Sequence, residues 1–413
     1  MPVPGAVLDY CRELQFRSLA RSLLLIQRLF AGSIATCSPL ASASAASPGP
    51  EPAVASLLRE GIEYNFQGDL AAADVVWTRV RDLDPTHPAG SFYEVSTLYW
   101  RQTFDAADTQ YDIAILSGAR ETIYLADARL EHNSEDTEAL FYRGQAKMHI
   151  ARLEVVRGHY LKAGGVGEEG REDLERVLQL DASFIDAKHP LGMYYYYAAK
   201  LPSVMRWLNF LWFIPKGDGP LGLQYLNEVS SNGDLMRYDA SSILLSIQVY
   251  LDPDLEPALE LAMELHEQFP TSTLIHFQVI EALTALKDGE GVIRESLLLE
   301  QGEGDFFHDA GRRRMAMIWR AGAELEMARP EKAWGVLESF GEVRPDDPGW
   351  ALPWVSLIRG RVVDVLGLRE EALKYYRVVT RLKSPQGDPV AAALAKKHIR
   401  EPYRVDPLQL NGR

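Results

Sequence analysis

The chain is predicted to be all-α, an α-solenoid of about eight antiparallel helical hairpins, and three observations predict it. From residue 54 onward apolar residues recur at spacings of three and four, the period of a helix with one buried face, and alternation of apolar and polar residues is never sustained. One register of small, large and turn residues returns at four places along the chain. The 413 residues are 47% hydrophobic and 24% charged, a globular composition long enough for one extended array.

Residues 1–46 form a separate leader. Arg12, Arg17, Arg21 and Arg28 outnumber Asp9 and Glu13, an apolar region runs from Leu23 to Leu40, and the small-residue series Ala41 to Ala46 follows. That order is the order of a secretory signal, and the apolar part is too short and interrupted for a membrane span of about 20 residues. Ile34 to Cys37 has the shape of a lipobox, with Thr36 in place of the usual small residue before the cysteine. Residues 47–53, rich in proline, are expected to link the leader to the body. The leader implies export to the periplasm or cell envelope; a cytoplasmic protein with a disordered tail is the alternative.

The first hairpin, 54–85, carries the clearest unit: Gly61, Tyr64, Ala73, Trp77, Val80 and Pro85, with Gly68 and Asp69 at the turn. Small residues at Gly61 and Ala73 let two helices approach closely, large ones at Tyr64 and Trp77 fill the space between hairpins, and Pro85 stops the second helix for want of an N–H. Hairpins 89–133, 136–182 and 184–231 are longer and are placed by helix stops near Asn133, Asp181 and Asn232. The register returns in 238–270 as Ser246, Val249, Ala258, Ala262, Leu265 and Pro270. Hairpin 273–303 ends near Glu303, and 307–345 repeats the register weakly through Ala333, Leu337, Phe340 and Pro345. Hairpin 350–385 repeats it closely as Gly360, Val363, Gly367, Ala372, Tyr376 and Val379. Residues 386–413 are expected to form a capping helix and tail. This register resembles the tetratricopeptide repeat (TPR), across most of residues 54–385, and the resemblance implies a solenoid whose inner face binds extended peptides or partner helices.

Composition excludes several functions. A net charge of −15 argues against nucleic acid, and the leader carries +2 of it, leaving −17 on the body. Both cysteines, Cys11 and Cys37, lie in the leader, so the body has no thiol nucleophile, disulfide or thiolate metal site. Gly165 to Gly170 matches G-x-G-x-x-G but follows a helix and contains Glu168 and Glu169, so it is expected to be a flexible insert near 164–170. None of the nine histidines forms an H-x-x-x-H pair, no G-x-S-x-G elbow occurs, and no cofactor or catalytic residue is nominated.

Two candidate surfaces remain. The first helices offer Leu58, Ile62, Asn65 and Phe66 in hairpin one, Phe141, Gln145, Met148 and His149 in hairpin three, and Ile243, Ile247 and Tyr250 in hairpin five. The stretch from Lys188 to Lys216 has no acidic residue and holds Tyr194 to Tyr197, then Trp207, Phe210, Trp212 and Phe213, with a second insert at 201–217. It is expected either to cover an apolar gap, to bind a partner, or to touch a membrane surface peripherally. The partner-binding candidates are therefore Phe66, Phe141, Gln145, Met148, His149, Tyr194, Tyr196, Trp207, Trp212, Phe213 and Tyr250. A non-enzymatic scaffold for a protein or peptide partner is the leading expectation, and a periplasmic small-ligand carrier with an aromatic-lined cavity, associated with transport, is the alternative.

Overall fold

The computed structural model describes residues 52–200, 217–302, 310–383 and 386–405. Hairpin one is α1 (Pro52–Gln67) and α2 (Leu70–Leu83), hairpin two α3 (Ala89–Thr103) and α4 (Asp112–His132), and hairpin three α5 (Thr137–Val156) and α6 (Tyr160–Leu180). Hairpin four is α7 (Lys188–Ala199) and α8 (Gly219–Asn232), and hairpin five α9 (Arg237–Tyr250) and α10 (Leu255–Gln268). Hairpin six is α11 (Thr273–Leu286) and α12 (Gly289–Gln301). After a short α13 (Ala310–Arg314), α14 (Ala316–Glu326) and α15 (Pro330–Phe340) make hairpin seven. Hairpin eight is α16 (Ala351–Val365) and α17 (Arg369–Arg381), and α18 (Pro389–Arg400) caps the stack. The described residues contain no strand.

Local chemistry sets the ends. Asp69, Asp136, Asp218, Asp288 and Asp388 accept from backbone N–H groups at the starts of α2, α5, α8, α12 and α18, each satisfying a donor with no partner inside its helix. Gly68 and Gly367 turn hairpins one and eight with φ of 91° and 82°, where a side chain would be strained.

The small and large positions pack as their spacing implies. A Cβ at Gly61 would enter the Trp77 ring, and one at Gly360 would lie 2.6 Å from Tyr376 Cε1. Trp77 and Tyr376 are fully buried. The expected insert at 164–170 is corrected: α6 runs unbroken from Tyr160 to Leu180, and the turn of hairpin three lies at Arg157 to His159. Its glycines serve packing, since a Cβ at Gly170 would sit 2.9 Å from the Gly144 carbonyl oxygen on α5. Residues 201–216 and the leader lie outside the described residues.

First helices of successive hairpins touch one another, α1 to α3, α3 to α5, α9 to α11, α11 to α14 and α14 to α16, and so form the inner layer. The superhelix also closes on itself. Phe66 packs on Tyr238 and Phe269, with ring centroids 5.4 Å away in each case, and Arg59 pairs with Asp234. Phe104, just past α3, meets Phe277 and Trp350, Trp350 Nε1 donates to the Phe104 carbonyl at 2.8 Å, and Gly349 N–H donates to Asp105 at 2.7 Å. A solenoid held only by neighbours would lack these contacts between hairpin two and hairpins six and eight.

Candidate inner-face site

On the inner layer α3 packs on α5, and α7 on α9. Asp186 accepts from the backbone N–H groups of Asp234, Leu235 and Met236 at 3.0, 2.9 and 3.3 Å, fastening the start of α9 to hairpin four. Gln145 of α5 reaches the same place, its amide nitrogen 3.3 Å from Met236 Sδ.

His149 and Arg152 lie three residues apart on α5 and so share a face. His149 stacks on Tyr99 with ring centroids 4.7 Å apart and planes inclined by 20°, and the Tyr99 hydroxyl donates to the His149 carbonyl. The Arg152 guanidinium carbon lies 4.7 Å from the centre of the same tyrosine ring, a cation–π arrangement. Around them the hydrogen bonding is incomplete. The Tyr93 hydroxyl and both ring nitrogens of His189 are buried without a partner, although Tyr93 is 2% and His189 6% exposed. A buried polar group left so costs about 1–3 kcal/mol.

Burial disfavours the charged forms here. It holds His149 and His189 down to about 3, with Arg152 adding to the effect, so both are neutral at pH 7. Loss of solvent pushes Asp239, on the first turn of α9, up to about 7; Arg152 opposes that rise and Asp186 reinforces it. Tyr197 of α7, 41% exposed, also feels Arg152. Arg152, exposed on α5, thus lies near two neutral imidazoles and Asp239 where α5, α7 and the start of α9 approach one another.

The small–large register, seen as close helix pairs with an inner layer of first helices, decides the type of fold. It is a TPR-like solenoid. No protein-family model matches the chain, and no curated protein matches it. Among solved structures it is similar to yeast Tom70, at 11% identity and TM-score 0.39, covering 84% of this chain and 89% of that one. It is similar to a monomeric mutant of IFIT1 with Gppp-AAAA, at 12% identity and TM-score 0.41, covering 82% and 72%. It is also similar to the human IFIT1 dimer with PPP-AAAA, at 13% identity and TM-score 0.39, covering 84% and 86%.

Several candidate residues are placed elsewhere than expected. Phe66 and Phe141 are core, not surface: Phe66 is sealed by Trp100, Tyr238 and Phe269, and Phe141 by Tyr142 and Phe184. Leu58, Ile62, Asn65 and Ile247 are buried too. Gln145 is buried in the floor of the cluster, and Met148 and Tyr250 are half-buried against the core. Tyr194 donates to Glu168 at 2.5 Å and Tyr195 donates to Glu175, both on α6; Tyr196 is buried with its hydroxyl 2.8 Å from Asp252. Tyr194 and Tyr196 are therefore occupied between hairpins. Trp207, Trp212 and Phe213 lie outside the described residues. The basic triplet Arg312 to Arg314 is also engaged: Arg312 lies over Phe104 and so joins the closure, and Arg314 pairs with the buried side chain of Asp347.

Of the predicted residues, Gln145 and His149 lie at this cluster, His149 partly buried between Tyr99 and Phe92. Tyr93, Tyr99, Arg152, His189 and Asp239 were not anticipated, and the one sequence signal for any of them was Arg152 at three residues from His149.

Proposed function

We propose that the protein is a non-enzymatic binding protein that holds a segment of a partner protein against its concave face. The observation that carries the reading is that the Tyr93 hydroxyl and both His189 ring nitrogens, on first helices of the inner layer, are buried without a protein partner, with the exposed Arg152 and Tyr197 near His189. Such groups are few in a folded chain and are completed by water, an ion or a ligand. Among the described residues no group of three His, Cys, Asp or Glu side chains is arranged to hold a metal, and no helix is long and apolar enough to cross a membrane. A chain of net charge −15 favours protein over nucleic acid as that partner. The basic, apolar and small-residue order of the leader supports a place in the bacterial envelope; a mature protein beginning near Ala46 is expected, and an intact Met1 would remove that part.

The test is site-specific photo-crosslinking in cells. A crosslinker replacing Tyr197, exposed on the inner layer, is expected to capture a defined partner, whereas one replacing Tyr124, 72% exposed on the outer helix α4, is not. Capture from Tyr124 alone would overturn the concave-face reading. Native mass spectrometry showing a tightly held small molecule would favour the carrier instead.

A further inference from the structure

Gln145, His149, Arg152 and Val156 follow one another on α5 at spacings of three and four, and so form one stripe. Gln145 meets Met236 at the start of α9, and His149 lies between Phe92 and Tyr99 of α3. The stripe is therefore turned towards other first helices, the inner side of the array. At its open end Arg152 is exposed, and Val155 and Val156 beside it are 50% and 45% exposed. Arg152 is held in place but not consumed. Its guanidinium carbon lies 4.7 Å from the centre of the buried Tyr99 ring, and that ring is itself fixed by stacking on His149 and by its hydroxyl on the His149 carbonyl. Cation–π attraction orients the guanidinium without spending its five N–H groups on an oxygen. Of the three cations of α5, Arg143 and Lys147 pair with Asp173 of α6, whereas Arg152 has no ion pair and no side-chain hydrogen bond among the described residues. In a chain with 58 acidic against 43 basic side chains, an oriented guanidinium without a carboxylate is a donor set kept open.

Resting on the concave-face reading above, we infer that Arg152 anchors an acidic side chain, an aspartate or glutamate of the bound segment, whose apolar neighbour lies on Val156. A carboxylate accepts two parallel N–H groups from the guanidinium fork, which no neutral or basic side chain does. Because Tyr99 already orients the fork, little freedom is lost when that pair forms. The body charge of −17 opposes a run of acidic residues, and screening limits that field to about 8 Å at physiological salt. One carboxylate within an otherwise apolar segment is thus the chemistry that fits. A nucleic acid, with a phosphate at every step, meets the acidic body along its whole length.

The test pans a displayed library of random twelve-residue peptides, fused at their C-termini so that every carboxylate is a side chain, on the full chain and on Arg152→Gln. Circular dichroism checks that both are folded. Peptides with one Asp or Glu beside an apolar residue are expected to be enriched on the parent chain and not on the variant. In fluorescence anisotropy, such a peptide is expected to bind about tenfold more weakly after Glu→Gln in the peptide or Arg152→Gln in the protein, and no more weakly with both. Arg152→Lys is expected to retain part of the preference, since an ammonium keeps the charge without the fork. Enrichment without an acidic bias, or an acidic bias that survives Arg152→Gln, overturns this inference and leaves the concave-face reading standing. So does a single-stranded twelve-nucleotide RNA that binds more tightly than the selected peptide and is released by Arg152→Gln, which would assign the guanidinium to phosphate. Enrichment of no peptide on the folded chain overturns both.

Discussion

Trp350 is the residue through which closure of the superhelix is most directly tested. Its ring makes edge-on contacts with Phe104 at 5.6 Å and Trp319 at 5.7 Å, and its Nε1 donates to the Phe104 carbonyl at 2.8 Å. Two aromatic contacts of about 1 kcal/mol each and one hydrogen bond of about 1 kcal/mol make Trp350→Ala cost about 3 kcal/mol. The loss falls on two distant parts of the chain, since Phe104 belongs to hairpin two and Trp350 to hairpin eight. Hydrogen exchange with mass spectrometry reads both. Amides of residues 105–112, at the start of α4, are expected to exchange up to about 100-fold faster, the ratio that 3 kcal/mol implies. A Phe104→Leu and Trp350→Ala double-mutant cycle is expected to show coupling of about 1 kcal/mol. Unchanged protection at 105–112 with destabilisation confined to hairpin eight would show an open array, and the closure argument would fail.

Three further outcomes follow from other parts of the structure. Gly170→Val forces a side chain onto the Gly144 carbonyl and is expected to cost about 1–3 kcal/mol, while Gly165→Ala, with nothing within 4 Å, should be neutral or stabilise by about 0.5–1 kcal/mol in thermal melts. Equal effects at both positions would return the segment to a flexible insert. Thr97→Val removes the hydroxyl that accepts from Trp77 Nε1 at 2.8 Å and donates to Asn65 at 2.9 Å, stranding two buried groups at a cost of about 2–4 kcal/mol; a denaturation midpoint within error of wild type would refute that. Burial holds His189 and His398 down to about 3, with nearby arginines adding to the effect, so the unfolded chain binds their protons first. Stability is then full above the unfolded value near 6.5 and falls as pH drops towards 3, by about 1 kcal/mol per histidine between pH 6 and 5. Denaturation at both pH values should show His189→Gln losing about 1 kcal/mol of that change, and an unchanged slope would count against it.

Helix placement was legible because its causes are local. The period of three and four marks each buried face, aspartates mark helix starts, and helices end at His132, Leu180, Asn232 and Gln301, within a residue or two of the expected stops. The Gly61–Trp77 and Gly360–Tyr376 contacts follow from spacing alone, because the two helices of a hairpin are adjacent in sequence as in space. The glycines of 164–170 misled because a glycine that permits close packing and one that loosens a loop look identical until the carbonyl of Gly144 is seen opposite.

The fold type, the hairpin count and the acidity of the body were properties of the residues in order. Which face of each first helix is free was not. Phe66 and His149 occupy comparable places in their helices, yet the first is sealed beneath Tyr238 and Phe269 and the second is only partly buried, between Tyr99 and Phe92. Only the rotation accumulated from one hairpin to the next brings hairpin one onto hairpin five and hairpin two onto hairpin eight. That sum of small angles buries some inner-face residues, such as Phe66, and leaves others, such as Arg152 and Tyr197, exposed.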